Sequence, residues 1–305
     1  GEKGALDYRE KAPSKAHRDM YLDANGKVIP DKSTLGALAI GVPGTIDALF
    51  EVHKKFGKLP IADLFQPAID LARNGVVITP LQADFYMGKN LAEIKKANNY
   101  ATIFENGWKA GERFKYEELA QTLERILDNG RKEFYEGETA KRIVNYVQEL
   151  GGILSLEDLR NYHSQWRTPI TFNYKNYTIS SMTIPSSGGI CIAQILKSVE
   201  PYKIGQYTHN GEQYVQLLVE AERRAYADRA YFLGDPDFVK VPTETLLSPD
   251  YLKERMRSFS WDRASKSSEI AHGKVVGYES DETTHYSIVD RFGNAVAVTT
   301  TLNTN

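Results

Sequence analysis

Thr283-Thr284-His285-Tyr286-Ser287 places three hydroxyls, a phenol and an imidazole on one short run of chain. A threonine hydroxyl is a weak nucleophile at neutral pH and needs a base beside it. One arrangement makes that base the residue's own α-amine, freed by cutting the chain directly before it. Such chemistry would make Glu282–Thr283 the bond of interest. The competing reading is a plain solvated strand, because one face of an antiparallel sheet commonly meets water.

The flanking residues add geometry. Thr283–Val289 alternates as a strand, 290–294 supplies a five-residue turn, and Ala295–Leu302 alternates again, which is a hairpin pattern. With the turn centred on residue 292, opposed positions sum to 584, so Thr283 faces Thr301, His285 faces Thr299 and Ser287 faces Ala297. Opposed Cβ atoms lie about 4.5–5.5 Å apart, which brings the Thr301 hydroxyl within reach of Thr283. Thr283, His285, Ser287, Thr299, Thr301 and Asn303 share one face; Tyr286, Ile288, Val296, Val298 and Leu302 share the other. A slip of one residue would separate the two threonines.

Other elements must carry this hairpin. Residues 1–45 are broken by Pro13, Gly26, Pro30, Gly36, Gly41, Pro43 and Gly44, and Asp23-Ala24-Asn25-Gly26 reads as a turn. Helical spacing begins at Thr45 and stops at Gly57. A second helix is expected over 61–73, with Ile61, Leu64, Phe65, Ala68 and Ala72 inward, and Pro67 predicts a kink or a later start. Further helices are expected over 116–127 and 138–150, and a short one capped by Ser155 with Asp158 three positions on. The period then changes to strands at 168–173 and 177–182. A helix carrying Ile192, Ile195 and Leu196 follows Pro185-Ser186-Ser187-Gly188-Gly189. A long helix over 211–232 carries Val215, Leu218, Val219, Glu222, Ala225 and Tyr226. Residues 262–282 are polar and serine-rich and read as exposed and poorly packed. Helices early and strands late predict an α+β arrangement.

Composition excludes several classes. Apolar residues at 41% and charged residues at 26% are ordinary for a globular chain, and a formal charge of −2 offers no footprint for nucleic acid. No apolar run reaches the roughly 20 residues of a membrane helix. A single cysteine, Cys191, among Ile190, Ile192 and Ala193, is expected to pack rather than react. The six histidines show no H-x-x-x-H or H-E-x-x-H spacing, so neither a metal nor a cofactor is expected.

The stretch from Glu279 to Asp290, continued through Gly293-Asn294-Ala295-Val296-Ala297-Val298-Thr299, resembles the processing junction of the γ-glutamyltranspeptidases. Asp7 to Pro13, Gly41-Val42-Pro43-Gly44-Thr45, Gln66-Pro67-Ala68, 71–75, 185–189, Ala221-Glu222 with 226–229, and Gly234-Asp235-Pro236-Asp237 resemble the same family in the same order. The resemblance implies the αββα sandwich of the N-terminal-nucleophile hydrolases, present in part. It also implies a precursor that cuts itself, with residues 1–282 belonging to a large subunit and 283–305 opening a small one.

Under this resemblance Glu282–Thr283 is the processing site, and Thr283 is the nucleophile toward both its own chain and γ-glutamyl amides. Thr301 is the second threonine that supports it, Arg9 holds the donor's α-carboxylate, and Asn303 contacts its α-amino group. The residue types suit these roles, since a guanidinium grips a carboxylate in a bidentate way that lysine cannot reproduce. His285 is expected to be structural.

The implied partners are glutathione-like γ-glutamyl donors, water or amino-acid and peptide acceptors, and the two subunits of one precursor. The implied location is periplasmic or secreted, although residues 1–4 carry no signal-peptide pattern. The family pattern extends beyond both ends of this chain, so a fragment that is inactive by itself is expected. Two alternatives stay open: a related acylase acting on cephalosporin side chains or poly-γ-glutamate, and a non-catalytic relative that is never cut.

Overall fold

The computed structural model describes residues 2–84, 91–97, 107–273 and 284–300, which form two compact units, residues 7–165 and residues 1–6 with 166–305.

In the unit of residues 7–165, the turn at Asp23 forms as expected, with its carboxylate accepting from the Asn25 and Lys27 amides at 2.8 and 2.9 Å. The first long helix, Thr45–Phe56, ends where the Gly57 amide bonds the His53 carbonyl at 2.7 Å. The next, Ile61–Asn74, runs through Pro67, and its first turn is already formed, because the Asp63 amide reaches the Pro60 carbonyl at 3.1 Å. The later start is therefore not adopted. Its inward stripe also differs from the expectation: Phe65 and Ile69 are buried, whereas Leu64 is 51% exposed. The partner decides this, since Ala120 and Ile126 of helix Glu117–Asn129 pack on Phe65 and Ile69.

Three further helices follow, Arg131–Glu136, Glu138–Glu149 and Leu156–Arg160. The first lies between Gly130 and Gly137 and is too short to show a helical period in sequence. The last begins at the predicted capping box, where Ser155 Oγ accepts from the Asp158 amide at 3.1 Å and the Asp158 carboxylate accepts from the Ser155 amide at 2.9 Å. Tyr135 and Tyr162 lie at the centre of this core, stacked at 5.8 Å and walled by Ala140, Leu154 and Leu159. Burying side chains of this size contributes roughly 1.5–3 kcal/mol each.

In the unit containing residues 166–305, Ile170–Tyr174 and Tyr177–Ser181 form the expected antiparallel pair, with Phe172 opposite Ile179. Helix Gly188–Val199 buries Ile190, Cys191 and Ala193 against Phe172, Phe232 and Leu246, while Ile192 faces outward. Burial pushes the Cys191 thiol up to about 11, which keeps it protonated and makes it a packing residue.

Helix Glu212–Phe232 turns a different face inward from the one its apolar residues suggest. Val215 and Tyr226 are exposed, and the buried residues are Leu217, Glu220, Ala221, Arg224, Ala225, Asp228, Arg229 and Phe232. An apolar count misses this face because Glu220, Arg224 and Asp228 lie within it at four-residue spacing. They are tolerated there by pairing with opposite charges. Arg224 Nη1 meets Glu220 Oε2 at 2.6 Å, and Arg255 Nη2 meets Asp228 Oδ1 at 3.0 Å.

Candidate active site

The hairpin forms in the expected register. Thr284–Val289 pairs antiparallel with Ala295–Thr300, placing Thr284 opposite Thr300, His285 opposite Thr299 and Ser287 opposite Ala297. The turn residues pin that register. The Asp290 amide bonds the Asn294 carbonyl at 3.0 Å, and the Gly293 amide bonds the Asp290 carbonyl at 3.1 Å. The Asp290 carboxylate accepts from the amides of Phe292 and Asn294 at 2.8 and 2.9 Å and from the Asn294 side chain at 2.8 Å. A turn closed by five hydrogen bonds opposes the one-residue slip that would reverse every side chain. Thr284 and Thr300 are the outermost described pair; Glu282, Thr283, Thr301 and Asn303 lie outside the described residues. On the apolar face, Ile288 and Val296 are both exposed.

Arg9, in the unit of residues 7–165, is exposed, and its guanidinium makes no ion pair among the described residues. Its backbone is tightly held. The Arg9 amide donates to Asp7 Oδ1 at 3.2 Å, and the Tyr162 phenol donates to the Arg9 carbonyl at 2.8 Å. Lys11 and Val42 exchange backbone hydrogen bonds at 3.2 and 2.8 Å. Gly44 makes the approach possible, because a Cβ there would lie 2.0 Å from the Tyr162 phenol oxygen and 2.2 Å from the Tyr8 carbonyl oxygen. The sequence Gly41-Val42-Pro43-Gly44-Thr45 thereby acquires a physical role.

A buried network supports Tyr162. Tyr135 donates its phenol hydrogen to the Pro43 carbonyl at 2.9 Å and accepts from the Asp47 amide at 3.1 Å. The Asp47 carboxylate takes the Arg131 guanidinium and the Ser164 amide, and Arg131 also donates to the Tyr162 carbonyl. Burial by itself would raise the Asp47 pKa; the bonds from Arg131 and Ser164 outweigh it and hold the carboxyl below its usual range. Burial drives the Tyr162 phenol upward, so it remains a donor throughout the neutral range.

The segment upstream of Glu282–Thr283 is better anchored than its composition suggests. Residues 262–269 are largely exposed as expected, yet the Ser265 amide bonds Glu220 Oε1 at 2.7 Å and the Gly273 amide bonds Asp228 Oδ1 at 2.7 Å. Arg255 donates to the Ala271 carbonyl at 2.9 Å, and the His272 ring stacks on Tyr231. The expectation of poor packing therefore fails at Ser265 and at 271–273, because buried carboxylates on helix Glu212–Phe232 reach out to the backbone there. The spacing of Glu220, Arg224 and Asp228 is the signal that would have found them.

The gamma-glutamyltranspeptidase family model matches residues 1–305. The chain belongs to that family. It is 43% identical over 310 residues to the glutathione hydrolase proenzyme of Escherichia coli (strain K12), a match covering 100% of this chain and 53% of that relative. Among solved structures, the gamma-glutamyltranspeptidase of Helicobacter pylori superimposes with a TM-score of 0.85 at 38% identity, over 90% of this chain and 79% of that one. The Pseudomonas nitroreducens gamma-glutamyltranspeptidase, complexed with L-DON, gives a TM-score of 0.83 at 39% identity, over 88% and 80%. The fold is accordingly α+β, of the N-terminal-nucleophile hydrolase class that the gamma-glutamyltranspeptidases share. The chain spans about half the length of the curated relatives it matches. No helix among the described residues is long and apolar enough to cross a membrane.

Proposed function

We propose that the whole protein is a γ-glutamyl hydrolase or transferase that cuts itself between Glu282 and Thr283. Residues 1–282 then belong to the large subunit and 283–305 open the small one. Thr283 attacks the carbonyl of the γ-glutamyl amide of a glutathione-like donor, its freed α-amine takes the hydroxyl proton and passes it to the departing amine, and the C–N bond breaks to leave a γ-glutamyl ester on Thr283. Water or an amino-acid or peptide amine then releases the γ-glutamyl group. Thr301 supports the nucleophile, Arg9 grips the donor's α-carboxylate and Asn303 its α-amino group. The setting proposed is the periplasm or the cell exterior.

The observation that carries this reading is the hairpin register. Described pairs from Thr284–Thr300 to Val289–Ala295 all sum to 584, which is the register on which the alternation of the sequence expects Thr283 to face Thr301. Family membership over the full chain supports the chemistry. Exposure of Arg9 on a fixed backbone supports its role toward a free carboxylate on the donor.

Intact mass of the full-length protein tests the proposal. Two fragments split before Thr283 are expected in the wild type and one uncut chain in Thr283→Ala. A wild type that stays uncut under conditions where it is folded would sink it.

A further inference from the structure

Asp47 sits in the first turn of helix Thr45–Phe56, where a carboxylate that served the helix alone could stay in water. It is instead 2% exposed and gives its two oxygens to residues 84 and 117 positions away. We propose that Asp47 and Arg131 are positioning residues for donor recognition, fixing the backbone from which Arg9 reaches the donor's α-carboxylate. This rests on the reading that Arg9 grips that carboxylate.

Two routes run from Asp47 to the Arg9 segment, both within the unit of residues 7–165. In the first, Asp47 Oδ1 takes Arg131 Nε, and Arg131 Nη2 donates to the Tyr162 carbonyl. Asp47 Oδ2 takes the Ser164 amide at 2.7 Å, so the backbone is held on both sides of His163. Tyr162 then donates its phenol hydrogen to the Arg9 carbonyl at 2.8 Å. In the second route, the Asp47 amide donates to the Tyr135 phenol at 3.1 Å, and that phenol donates to the Pro43 carbonyl at 2.9 Å. Pro43 follows Val42, which exchanges backbone bonds with Lys11. The routes brace each other, because the Arg131 guanidinium lies over the Tyr135 ring at 4.3 Å and Tyr135 stacks on Tyr162.

The consequence follows from the exposure of Arg9. Its side chain stands in solvent, so its aim depends on where its backbone is held. Breaking the Asp47–Arg131 pair leaves a buried charge uncompensated and frees the 162–164 backbone. Tyr162 then no longer meets the Arg9 carbonyl at a fixed point. A guanidinium fork needs close alignment with a carboxylate, so a small displacement weakens its hold on the donor. Neither Asp47 nor Arg131 touches the donor in this arrangement; each acts through Tyr162 and Tyr135. A pair that served stability alone would lower the melting point with no dependence on Arg9.

The test is a double-mutant cycle in the full-length, processed protein, with initial rates on γ-glutamyl p-nitroanilide and a thermal melt of every variant. Arg131→Lys keeps a charge beside Asp47 but has no fork to hold Asp47 and the Tyr162 carbonyl together. It should raise KM about 5-fold or more, the worth of one hydrogen bond. In an Arg9→Ala background the same change should alter KM by less than about 2-fold, because the group it positions is gone. Ser164→Ala removes only the hydroxyl bond to Asp47 and enters the same cycle, so the test stands even if Arg131→Lys does not fold. Its smaller rise in KM should likewise vanish without Arg9. An equal cost in KM with and without Arg9, or no cost in the folded variants, would overturn the positioning role while leaving Arg9 as a donor ligand. An Arg9→Ala protein with the wild-type KM would instead remove the reading of Arg9 itself.

Discussion

The phenol of Tyr162 is bonded to the carbonyl oxygen of Arg9 at 2.8 Å, linking a side chain buried at the heart of a helical core to an exposed position 153 residues upstream. Only the phenol hydrogen makes that link, and Gly44 is what lets it approach. Tyr162→Phe keeps the ring stack on Tyr135 and removes the bond. The expected result is a cost of about 1 kcal/mol in stability and a raised KM for γ-glutamyl donors. Chemical denaturation together with initial rates on the processed enzyme would check both. An unchanged KM would mean that Arg9 does not depend on this strap.

Arg9→Lys keeps the charge and discards the bidentate fork. KM for the donor should rise on the order of 10- to 100-fold, matching the ~1.5–3 kcal/mol that a hydrogen bond to a charged group contributes. The rate of self-cleavage should stay within about 2-fold, because the scissile peptide carries no free α-carboxylate for Arg9 to hold. Steady-state kinetics beside a processing time course distinguishes the two effects. Equal damage to both would make Arg9 structural.

Asp290→Ala tests the register. It removes the acceptor for the Phe292 and Asn294 amides and for the Asn294 side chain, and the hairpin loses the device that opposes a slip. Slower processing before residue 283 is expected, measured by intact mass, with little change in the helical signal of circular dichroism. Processing at the wild-type rate would show that strand pairing alone keeps the register.

Glu220 gives a pH dependence with a definite sign. Burial raises its pKa, but bonds from Arg224 and Ser265 more than reverse this and bring it down to about 2, against 4.5 for an unperturbed glutamate. The folded carboxylate binds its proton less readily than the unfolded one. Its contribution is therefore complete above about pH 4.5 and is lost as pH falls toward 2. Urea unfolding across that window should show stability declining with acid, and Glu220→Gln should flatten the decline while lowering stability at neutral pH. A wild-type slope retained in Glu220→Gln would assign the acid sensitivity to other carboxylates.

Much of the molecule was legible in its residues because the signals are local. Helix Thr45–Phe56 with its stop at Gly57, the capping box at Ser155 and Asp158, the pair at 170–181 and the hairpin register all depend on residues within a few positions of one another. Turn chemistry and side-chain period act at that range, so reading the chain in order recovers them. Thr283, Thr301 and Asn303, which lie outside the described residues, are proposed on the same kind of signal, alternation and register, together with the family likeness that assigns them roles.

Tertiary structure decided what distance along the chain concealed. Which side of helix Glu212–Phe232 turns inward depended on Arg255 and the 265–273 backbone, which complete the charges of Glu220 and Asp228. An ion is expelled from a core unless it is paired, and its partners lie outside its own helix. The hold on Arg9 likewise required Tyr162 and Gly44 to meet its backbone. The sequence by itself determined the elements, the hairpin ladder and the residue types that suit the chemistry. Only folding settled which charged groups share a buried face and which backbone they hold, because burial makes a lone polar group costly and a matched one stable.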